Sequence, residues 1–424
     1  VRIRDTPLSG DEVSYRDAAQ ALGNLVRALV RFQGPDVAEL QANVVSNGWF
    51  MPGSPIALTP LYALVPDPGA PLVRFYTGVL TSVLLVVTAV AVQRVLGPRC
   101  AWALMVFPGL VPMWVLFSFT TWGDLAAGLV AVLVLVRLVL MARVLRAGET
   151  PTVGAGVGLG LLLIAGLYLR SSALPLVLGT LVLVVLGVVV LAADGQRRRG
   201  LGVAAVCVVV FGALLAPWSV AASQTLGATV TTTTTVPLSL ATAFGDPDEL
   251  CFGPCEQREV SGGGLFFAGV RYSREVAALT GESEVTVQEE MQSYALRDLT
   301  AQTYAGLAAG NARRYALDPA GFAPRLSPDQ DVWSRGTALV AIVSTAMYAV
   351  FGLLFLFLLL DVRRRPFEPQ LTSLLVKLFV VASFVQPLLH VSHGRYWPVF
   401  APLWGLAAGL VADVAAVVFM WVER

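Results

Sequence analysis

The sequence has few charged residues, two histidines and a single lysine, Lys377. Only 13% of its 424 residues are charged, which is about half the share of an ordinary soluble domain, whereas 56% are hydrophobic. This composition excludes an ordinary soluble protein and indicates a polytopic membrane protein. The net charge is +1 and no basic tract is interleaved with aromatic residues. We therefore exclude nucleic-acid binding.

Cysteine is also scarce, and four cysteines in a chain of this length do not make a disulfide scaffold. Cys100 and Cys207 lie at or within hydrophobic segments, where a thiol is usually inert packing. Cys251 and Cys255 flank a Gly-Pro pair in "CFGPC". A turn there brings two sulfurs together if the loop faces an oxidising compartment, so the sequence leaves a disulfide between them open.

Long apolar stretches are abundant. A membrane-spanning helix needs about 20 mostly apolar residues, and nine stretches meet that requirement. They predict an all-α bundle with these spans: residues 75–95, 101–119, 124–142, 153–169, 173–193, 201–219, 337–360, 371–390 and 397–421.

Arginine distribution orients these spans. Arginine-rich segments at 93–99, 142–148, 195–200, 361–366 and the C-terminal "VER" fall on one side under strict alternation, and the positive-inside rule makes that side cytoplasmic. The N-terminus is then extracytoplasmic, and the chain starts at Val1 rather than at methionine. We therefore expect a further transmembrane helix upstream. The chain is interpreted as one module, 1–424, with these parts: a first extracytoplasmic loop (1–74), six spans (75–219), a large extracytoplasmic loop (220–336) and three C-terminal spans (337–424).

Both extracytoplasmic loops have helical patterns. Residues 13–33 form an amphipathic pattern. In the large loop, Thr286 and Glu289 match a capping box, and apolar residues recur at helical spacing to about Ala316, which predicts two short amphipathic helices. The threonine-rich stretch 229–240 is either extended or a flexible connection.

The polar residues suited to catalysis or ligand binding fall on the extracytoplasmic side. They are Asp11, Glu12 and Tyr15 in the first loop, Asp124 and Arg170 at span ends, and His390, His393, Arg395 and Tyr396 in the last loop. Each has a structural alternative, since acidic residues cap helix starts and arginines reach from helix ends to the interface. Together they fit one reaction. A carboxylate acts as general base on a hydroxyl, and arginines bind the phosphate of a lipid-anchored donor.

Several segments resemble the GT-C superfamily of membrane glycosyltransferases, in particular protein O-mannosyltransferases and lipid A aminoarabinose transferases. The matching segments are "DEVSY" (11–15), "PGSPIALTPLYALV" (52–65), "GLGLLLIAGLYLRSSALPLVL" (158–178), "LLAPWSVAASQTLGA" (214–228) and "HGRYWPVFAPLWGL" (393–406). The resemblance implies a GT-C type helical bundle and an inverting enzyme of the bacterial plasma membrane. Its donor is a polyprenyl-phosphate-linked sugar, and its acceptor is a hydroxyl of a glycan, glycolipid or protein.

The resemblance also implies roles for individual residues. Asp11 is the catalytic base, Glu12 supports it or helps to hold a metal or the acceptor, and Asp124 matches a second acidic position. Donor phosphate is assigned to Arg395, Arg170 and His393, and substrate positioning to Tyr15 and Tyr396.

The chain departs from these families at three points. Thr59-Pro60-Leu61 stands where the aminoarabinose transferases have Lys-Pro-Pro-Leu, so donor contacts must differ. No mannosyltransferase-like soluble domain stands out in 220–336. No strong metal-ligand spacing is present, so dependence on a divalent metal is left open.

Three alternative functions remain. A transporter or flippase of lipid-linked saccharides explains many helices, but transporters usually place charges near the bilayer midplane and often show repeated halves. An O-antigen polymerase or ligase acts on similar donors, but it has no need for the acidic pair in the first loop. A purely structural membrane protein leaves the one-sided cluster of polar residues unexplained.

Overall fold

The computed structural model describes residues 7–8, 10–110, 117–256, 264–317, 349, 352, 354–358, 368–389 and 399–422. These residues are mainly helical and include no β-strand, as the sequence predicts. The helices at the N-terminal end are α1 (Asp11–Val30), α2 (Val37–Val45), α3 (Gly53–Leu64), α4 (Ala70–Leu96) and α5 (Pro98–Leu110). Next come α6 (Asp124–Arg146), α7 (Val153–Leu169), a 3-10 turn (Ser171–Ala173), α8 (Leu174–Leu191) and α9 (Asp194–Leu226). The remaining helices are α10 (Val236–Phe244), α11 (Gly264–Thr280), α12 (Glu284–Ala295), α13 (Ala301–Leu317), α14 (Glu368–Ser383), α15 (Gln386–Leu389) and α16 (Ala401–Val422).

Five helical segments among the described residues are long and apolar enough to cross a membrane. They are Ala70–Leu96, Asp124–Arg146, Ser171–Leu191, Asp194–Leu226 and Leu371–Leu389. Two shorter apolar helices, Val153–Leu169 and Ala401–Ala412, accompany them. The predicted spans 75–95, 124–142, 173–193, 201–219 and 371–390 therefore coincide with helices of sufficient length. The predicted total of nine is not established, because most of 337–360 and part of 101–119 lie outside the described residues.

Helix α6 is the centre of the bundle. It packs against α4, α7, α8, α14 and α16, and 78% of its most apolar stretch is buried, compared with 28% in α4, in α8 and its preceding turn, and in α9. The less buried helices expose rows of aliphatic side chains. These include Val83, Val86 and Val90 on α4, Val182, Val185 and Val189 on α8, and Val208 and Val209 on α9. Such rows suit contact with lipid acyl chains rather than with water.

A glycine seam joins α7 to α9. A Cβ atom at Gly156 would lie 2.6 Å from the carbonyl oxygen of Val203, and one at Gly160 would lie 2.8 Å from that of Cys207. Both glycines lie on one face of α7, four residues apart, where a missing side chain lets two backbones approach closely. We call Gly156 and Gly160 the glycine seam.

The two ends of the bundle differ. At one end, Arg143 Nη2 donates to the carbonyl oxygen of Val95 at 3.0 Å, and the side chain of Gln196 donates to that of Gly148. The arginine-rich segments 93–99, 142–148 and 195–200 thus share one end, as predicted, which we call the arginine-rich end.

The opposite end, where α4 and α6 begin and α7 ends, is covered by helices. Helices α1 and α3 pack together there, and α3 packs on α7. Helices α10, α11 and α12 form a cap, residues 236–256 and 264–295, around its own core of Leu238, Ala241, Leu250, Val270, Val287 and Met291. The Trp49 and Phe266 rings lie 5.7 Å apart and connect the cap to the segment before α3. We call this the capped end.

The threonine-rich stretch 229–240 is neither a strand nor a loose connection. The indole of Trp218 on α9 donates to the carbonyl oxygen of Thr232 at 2.6 Å, and the Thr234 amide donates to the Gly48 carbonyl oxygen at 3.0 Å. The stretch is therefore packed between α9 and the first loop, and its C-terminal part starts α10.

The large loop is more helical than predicted. Helices α12 and α13 confirm the two predicted amphipathic helices, but α12 begins earlier than the Thr286 capping box implies. Ser283 is the N-cap, because its hydroxyl accepts the Thr286 amide at 3.1 Å. Helices α10 and α11 were not predicted. Cys251 and Cys255 form a disulfide with a Cα–Cα distance of 5.1 Å.

Candidate functional site

A buried ion pair joins α1 to α4 at the capped end. Glu12 lies in the first turn of α1, and Arg74 lies near the start of α4. Arg74 Nη1 and Nη2 donate to Glu12 Oε1 and Oε2, each at 3.0 Å. The Glu12 side chain is 3% exposed and the Arg74 side chain is 5% exposed. The pair is therefore a two-bond contact between a carboxylate and a guanidinium that are both buried away from water.

The same pair holds the loop before α6. The Thr121 amide donates to Glu12 Oε1 at 3.4 Å, and Arg74 Nη1 donates to the Phe119 carbonyl oxygen at 3.4 Å. Arg74 Nη2 also donates to the carbonyl oxygen of Pro7 at 3.2 Å. One guanidinium thus connects the segment before α1, the start of α4 and the loop 117–123.

Sequence reasoning missed Arg74, although a signal was present. A cation near the start of a helix opposes the positive end of the helix macrodipole, and an ionisable residue at the end of an apolar span requires a partner. Arg74 in "PLVRFY" meets both conditions. A search for an acidic partner on the same side of the membrane would have included Glu12.

A second buried pair joins α6 to α7. Arg170, which directly follows α7, places Nε 3.1 Å from Asp124 Oδ1, and the side chains are 11% and 0% exposed. The N-cap of α6 is Gly123, at a φ of 73°, and Asp124 is the first helical residue. Asp124 is thus not the N-cap of α6, which was the structural alternative to a functional role. Its carboxylate contacts an arginine that the sequence had placed on the same side.

Glycines allow the segments around this second pair to meet. A Cβ at Gly53 would lie 2.4 Å from the carbonyl carbon of Tyr168, and one at Gly123 would lie 2.7 Å from Ser54 Oγ and 3.0 Å from the Leu169 carbonyl oxygen. The start of α3 therefore lies directly on the end of α7. The loop before α6 fits against both.

The loop 117–123 connects the two ion pairs. Its Thr121 amide contacts Glu12, and three residues later Asp124 contacts Arg170. Two carboxylates and two guanidinium groups, which sequence separates by up to 158 positions, thus belong to one structural unit. Such a unit fixes the orientation of its charged groups before any ligand binds.

Two hydroxyls in this unit are buried without a hydrogen bond. Ser54 Oγ and Thr121 Oγ1 have no partner among the described residues, and their residues are 4% and 3% exposed. A buried hydroxyl without a partner loses its bonds to water. The unit therefore contains two hydroxyls, next to charged groups, that can still form hydrogen bonds.

Asp11 and Tyr15 have different surroundings. Asp11 is the first residue of α1 and is partly exposed. Both acidic residues lie in the first turn, where the macrodipole favours them, and Gly10 is the N-cap. Tyr15 is buried, with its ring centroid 5.0 Å from that of Phe50. Tyr15 therefore packs α1 on the segment before α3, and its contact with substrate stays a prediction.

The last-loop cluster of His390, His393, Arg395 and Tyr396 lies outside the described residues. Its proximity to Asp124 and Arg170 is therefore untested. Within the part of the chain that the structure describes, no three His, Cys, Asp or Glu side chains come together as a metal site. The dependence on a divalent metal stays open.

The capped end therefore gathers Asp11, Glu12 and Asp124 with Arg74 and Arg170. Asp124 and Arg170 form one pair, although the sequence analysis assigned Asp124 to catalysis and Arg170 to phosphate binding. No protein-family model, curated protein or solved structure significantly similar to the chain was found.

Proposed function

We propose that the chain is an inverting membrane glycosyltransferase that moves a sugar from a polyprenyl-phosphate donor to a hydroxyl acceptor. The observation that carries the proposal is the gathering of Asp11, Glu12, Asp124 and Arg170 at one end of the bundle, opposite the arginine-rich end. Under the positive-inside rule the capped end is extracytoplasmic. A carboxylate and an arginine on that side are the two groups that the transfer needs.

The base is assigned to Asp11. Both oxygens of Glu12 are engaged by Arg74, so Glu12 is a positioning residue that fixes the first turn of α1. Asp11 precedes it and is partly exposed. In the proposed step, the acceptor oxygen attacks the anomeric carbon, its proton passes to the Asp11 carboxylate, and the bond to the lipid phosphate breaks.

The leaving phosphate is assigned to Arg170. Arg170 faces Asp124 through Nε, and a guanidinium carries five N–H donors in a planar fork. A planar fork of this kind matches the geometry of phosphate oxygens. Asp124 orients the guanidinium, and the charge on the departing phosphate is neutralised where it develops.

A feature of α6 favours an enzyme over a transporter. Arg137 is the charged residue between Asp124 and Arg143 on this central helix. Its Nη2 donates to the Gly154 carbonyl oxygen near the start of α7, at 3.2 Å, so its guanidinium reaches toward the arginine-rich end. A transporter usually keeps its charged groups near the bilayer midplane, at the substrate site.

The test is an assay of the full chain in lipid nanodiscs. Polyprenyl-phosphate mannose, arabinose and aminoarabinose are supplied with a glycolipid acceptor fraction, and released polyprenyl phosphate is measured. Asp11→Asn is expected to lower turnover about 10²–10⁴-fold with an unchanged melting temperature and donor affinity. Asp17→Asn, an exposed acidic position on the same helix, is the matched control. Activity retained in Asp11→Asn removes Asp11 from the role, and no turnover of any donor contradicts the proposed function.

A further inference from the structure

We propose that a cleft on the helical cap is a binding site for a neutral oligosaccharide. The cleft is a shallow, open depression of about 540 Å³ between α12 and the turn that the Cys251–Cys255 disulfide closes. Its lining includes Phe252, Glu289, Glu290, Ser293, Tyr294 and Arg297. None of these residues belongs to the group at Asp124 and Arg170, so the proposed donor site does not account for the cleft.

The aromatic side of the cleft is formed by Phe252, whose backbone conformation is unusual. Phe252 has a φ of 53°, which is unusual for a bulky residue and is retained only when the surroundings enforce it. The disulfide closes the turn around it, and the Cys251 amide donates to the Gly253 carbonyl oxygen at 3.0 Å. Phe252 as a whole is 39% exposed. An exposed ring fixed beside polar groups offers an apolar surface to the C–H face of a sugar.

A second ring supports the first. The centroid of Tyr294 lies 5.5 Å from that of Phe252 at an interplanar angle of 70°. An edge contact of this kind is a preferred aromatic geometry, and it restricts the movement of the Phe252 ring.

The polar side of the cleft offers both acceptors and donors. Glu289, Glu290 and Ser293 are exposed on α12, and Glu289 and Ser293 are one helical turn apart. Carboxylates accept hydrogen bonds from sugar hydroxyls, and the Arg297 guanidinium donates to hydroxyl oxygens. Each hydroxyl of a saccharide both donates and accepts hydrogen bonds, so a saccharide matches this lining.

A cationic ligand fits the cleft less well. The Arg297 Cζ atom lies 4.3 Å from the Tyr294 ring centroid, so the protein's own cation occupies the position that a ligand cation would take over that ring. Arg297 also pairs with Glu249 and Asp298, which holds this cation in place over the ring. The geometry therefore favours a neutral saccharide.

This inference rests on the proposed function for its biological meaning, because a saccharide held on the cap would be the acceptor or its growing chain. Binding itself needs neither donor nor catalysis. A failure of the cleft and a failure of the transferase assay are therefore separate results.

The experiment measures binding by saturation-transfer NMR and calorimetry, using the full chain in nanodiscs without donor. The probes are linear oligosaccharides of mannose, glucose, arabinose and N-acetylglucosamine, and spermidine is the cationic comparison. We expect at least one oligosaccharide to bind at millimolar concentration, with affinity reduced by about tenfold or more in Phe252→Ala and Glu290→Gln. Phe267→Ala, which removes another exposed ring on the cap, should bind like the wild type.

Phe252→Trp separates stacking from folding. It restores an aromatic face, and we expect it to bind while Phe252→Ala does not. Absence of binding by every oligosaccharide overturns the inference. So does equal binding by Phe252→Ala and the wild type, or binding of spermidine alone.

Discussion

Arg74 holds both carboxylate oxygens of Glu12 at 3.0 Å, in a pair whose side chains are 5% and 3% exposed. Removing two charges from water costs several kcal/mol per ion, and only good geometry with additional hydrogen bonds compensates for that cost. Here the two-bond contact is supplemented by the Thr121 amide and the Phe119 carbonyl oxygen. The pair therefore determines how α1 lies on the bundle.

Breaking this pair should be costly, whereas replacing both partners should not. Glu12→Gln leaves the Arg74 charge buried and should lower the free energy of unfolding by about 3–5 kcal/mol. The double variant Glu12→Leu with Arg74→Met should recover most of that loss. Melting temperatures of the purified protein measure both effects. Asp17→Asn, which breaks the exposed pair with Arg16, should cost less than about 1 kcal/mol, and an equal cost in Glu12→Gln would show that the buried pair is dispensable.

A variant of the Asp124–Arg170 pair distinguishes the role of charge from the role of geometry. Arg170→Lys keeps a positive charge beside Asp124 but loses the planar fork that binds phosphate. The melting temperature should stay close to that of the wild type, while the KM for the lipid-linked donor should rise about tenfold or more. The matched control is Arg274→Lys, at an exposed pair on the cap. An unchanged KM would place Arg170 in structure alone.

The contact between α3 and α7 has no space for a methyl group. In Gly53→Ala the new Cβ would lie 2.4 Å from the Tyr168 carbonyl carbon, and because that neighbour is backbone, the helices must separate. We expect a loss of about 1–3 kcal/mol in unfolding free energy, together with reduced transferase activity. Gly69→Ala, whose nearest neighbour is Pro71 Cδ at 3.7 Å, should leave both unchanged. Wild-type stability in Gly53→Ala would contradict the close approach.

Alkaline pH should destabilise the first loop through Tyr62. Burial raises the pKa of Tyr62 from 10.0 to about 12, and its hydroxyl has no hydrogen-bond partner among the described residues. Because the pKa is higher in the folded state, this contribution to stability is complete below pH 10 and is lost as the pH rises towards 12. The loss reaches at most about 3 kcal/mol.

Tyr62→Phe should remove that part of the alkaline loss and be neutral or slightly stabilising at pH 7. Melting temperatures between pH 9 and pH 12 test this, with the half-buried Tyr272→Phe as the control. Identical alkaline profiles for the wild type and Tyr62→Phe would refute the assignment.

Much of the bundle could be predicted from the sequence because apolar length alone defines a spanning helix. The predicted span 153–169 matches α7, and 124–142 and 173–193 differ from α6 and α8 by a few residues at their ends. The amphipathic pattern at 13–33 likewise predicted α1. These are local properties, and hydropathy and helical periodicity express them directly.

The contacts that define the candidate site could not be predicted in the same way. The Arg74–Glu12 pair joins residues 62 positions apart, and no local pattern specifies which carboxylate an arginine will meet. Asp124 and Arg170 were both identified, but their contact depends on how the start of α6 approaches the end of α7 at Gly123. Helices α10 and α11 bury residues in the cap core, and this tertiary packing, which no single segment specifies, supplies most of their stability.

The glycine seam has a consequence for experiments outside the lipid bilayer. Gly156 and Gly160 bring α7 against the α9 backbone directly, so this pairing depends on van der Waals contact rather than on the surrounding solvent. Helix α8 is different, because a Cβ at Gly179 or Gly187 would meet no atom of the described residues within 4 Å, and most of its apolar stretch is not buried by protein. Detergent extraction should therefore preserve the α7–α9 pairing while loosening α8, and a loss of activity on solubilisation would first implicate helices, such as α8, whose apolar faces are covered mainly by lipid.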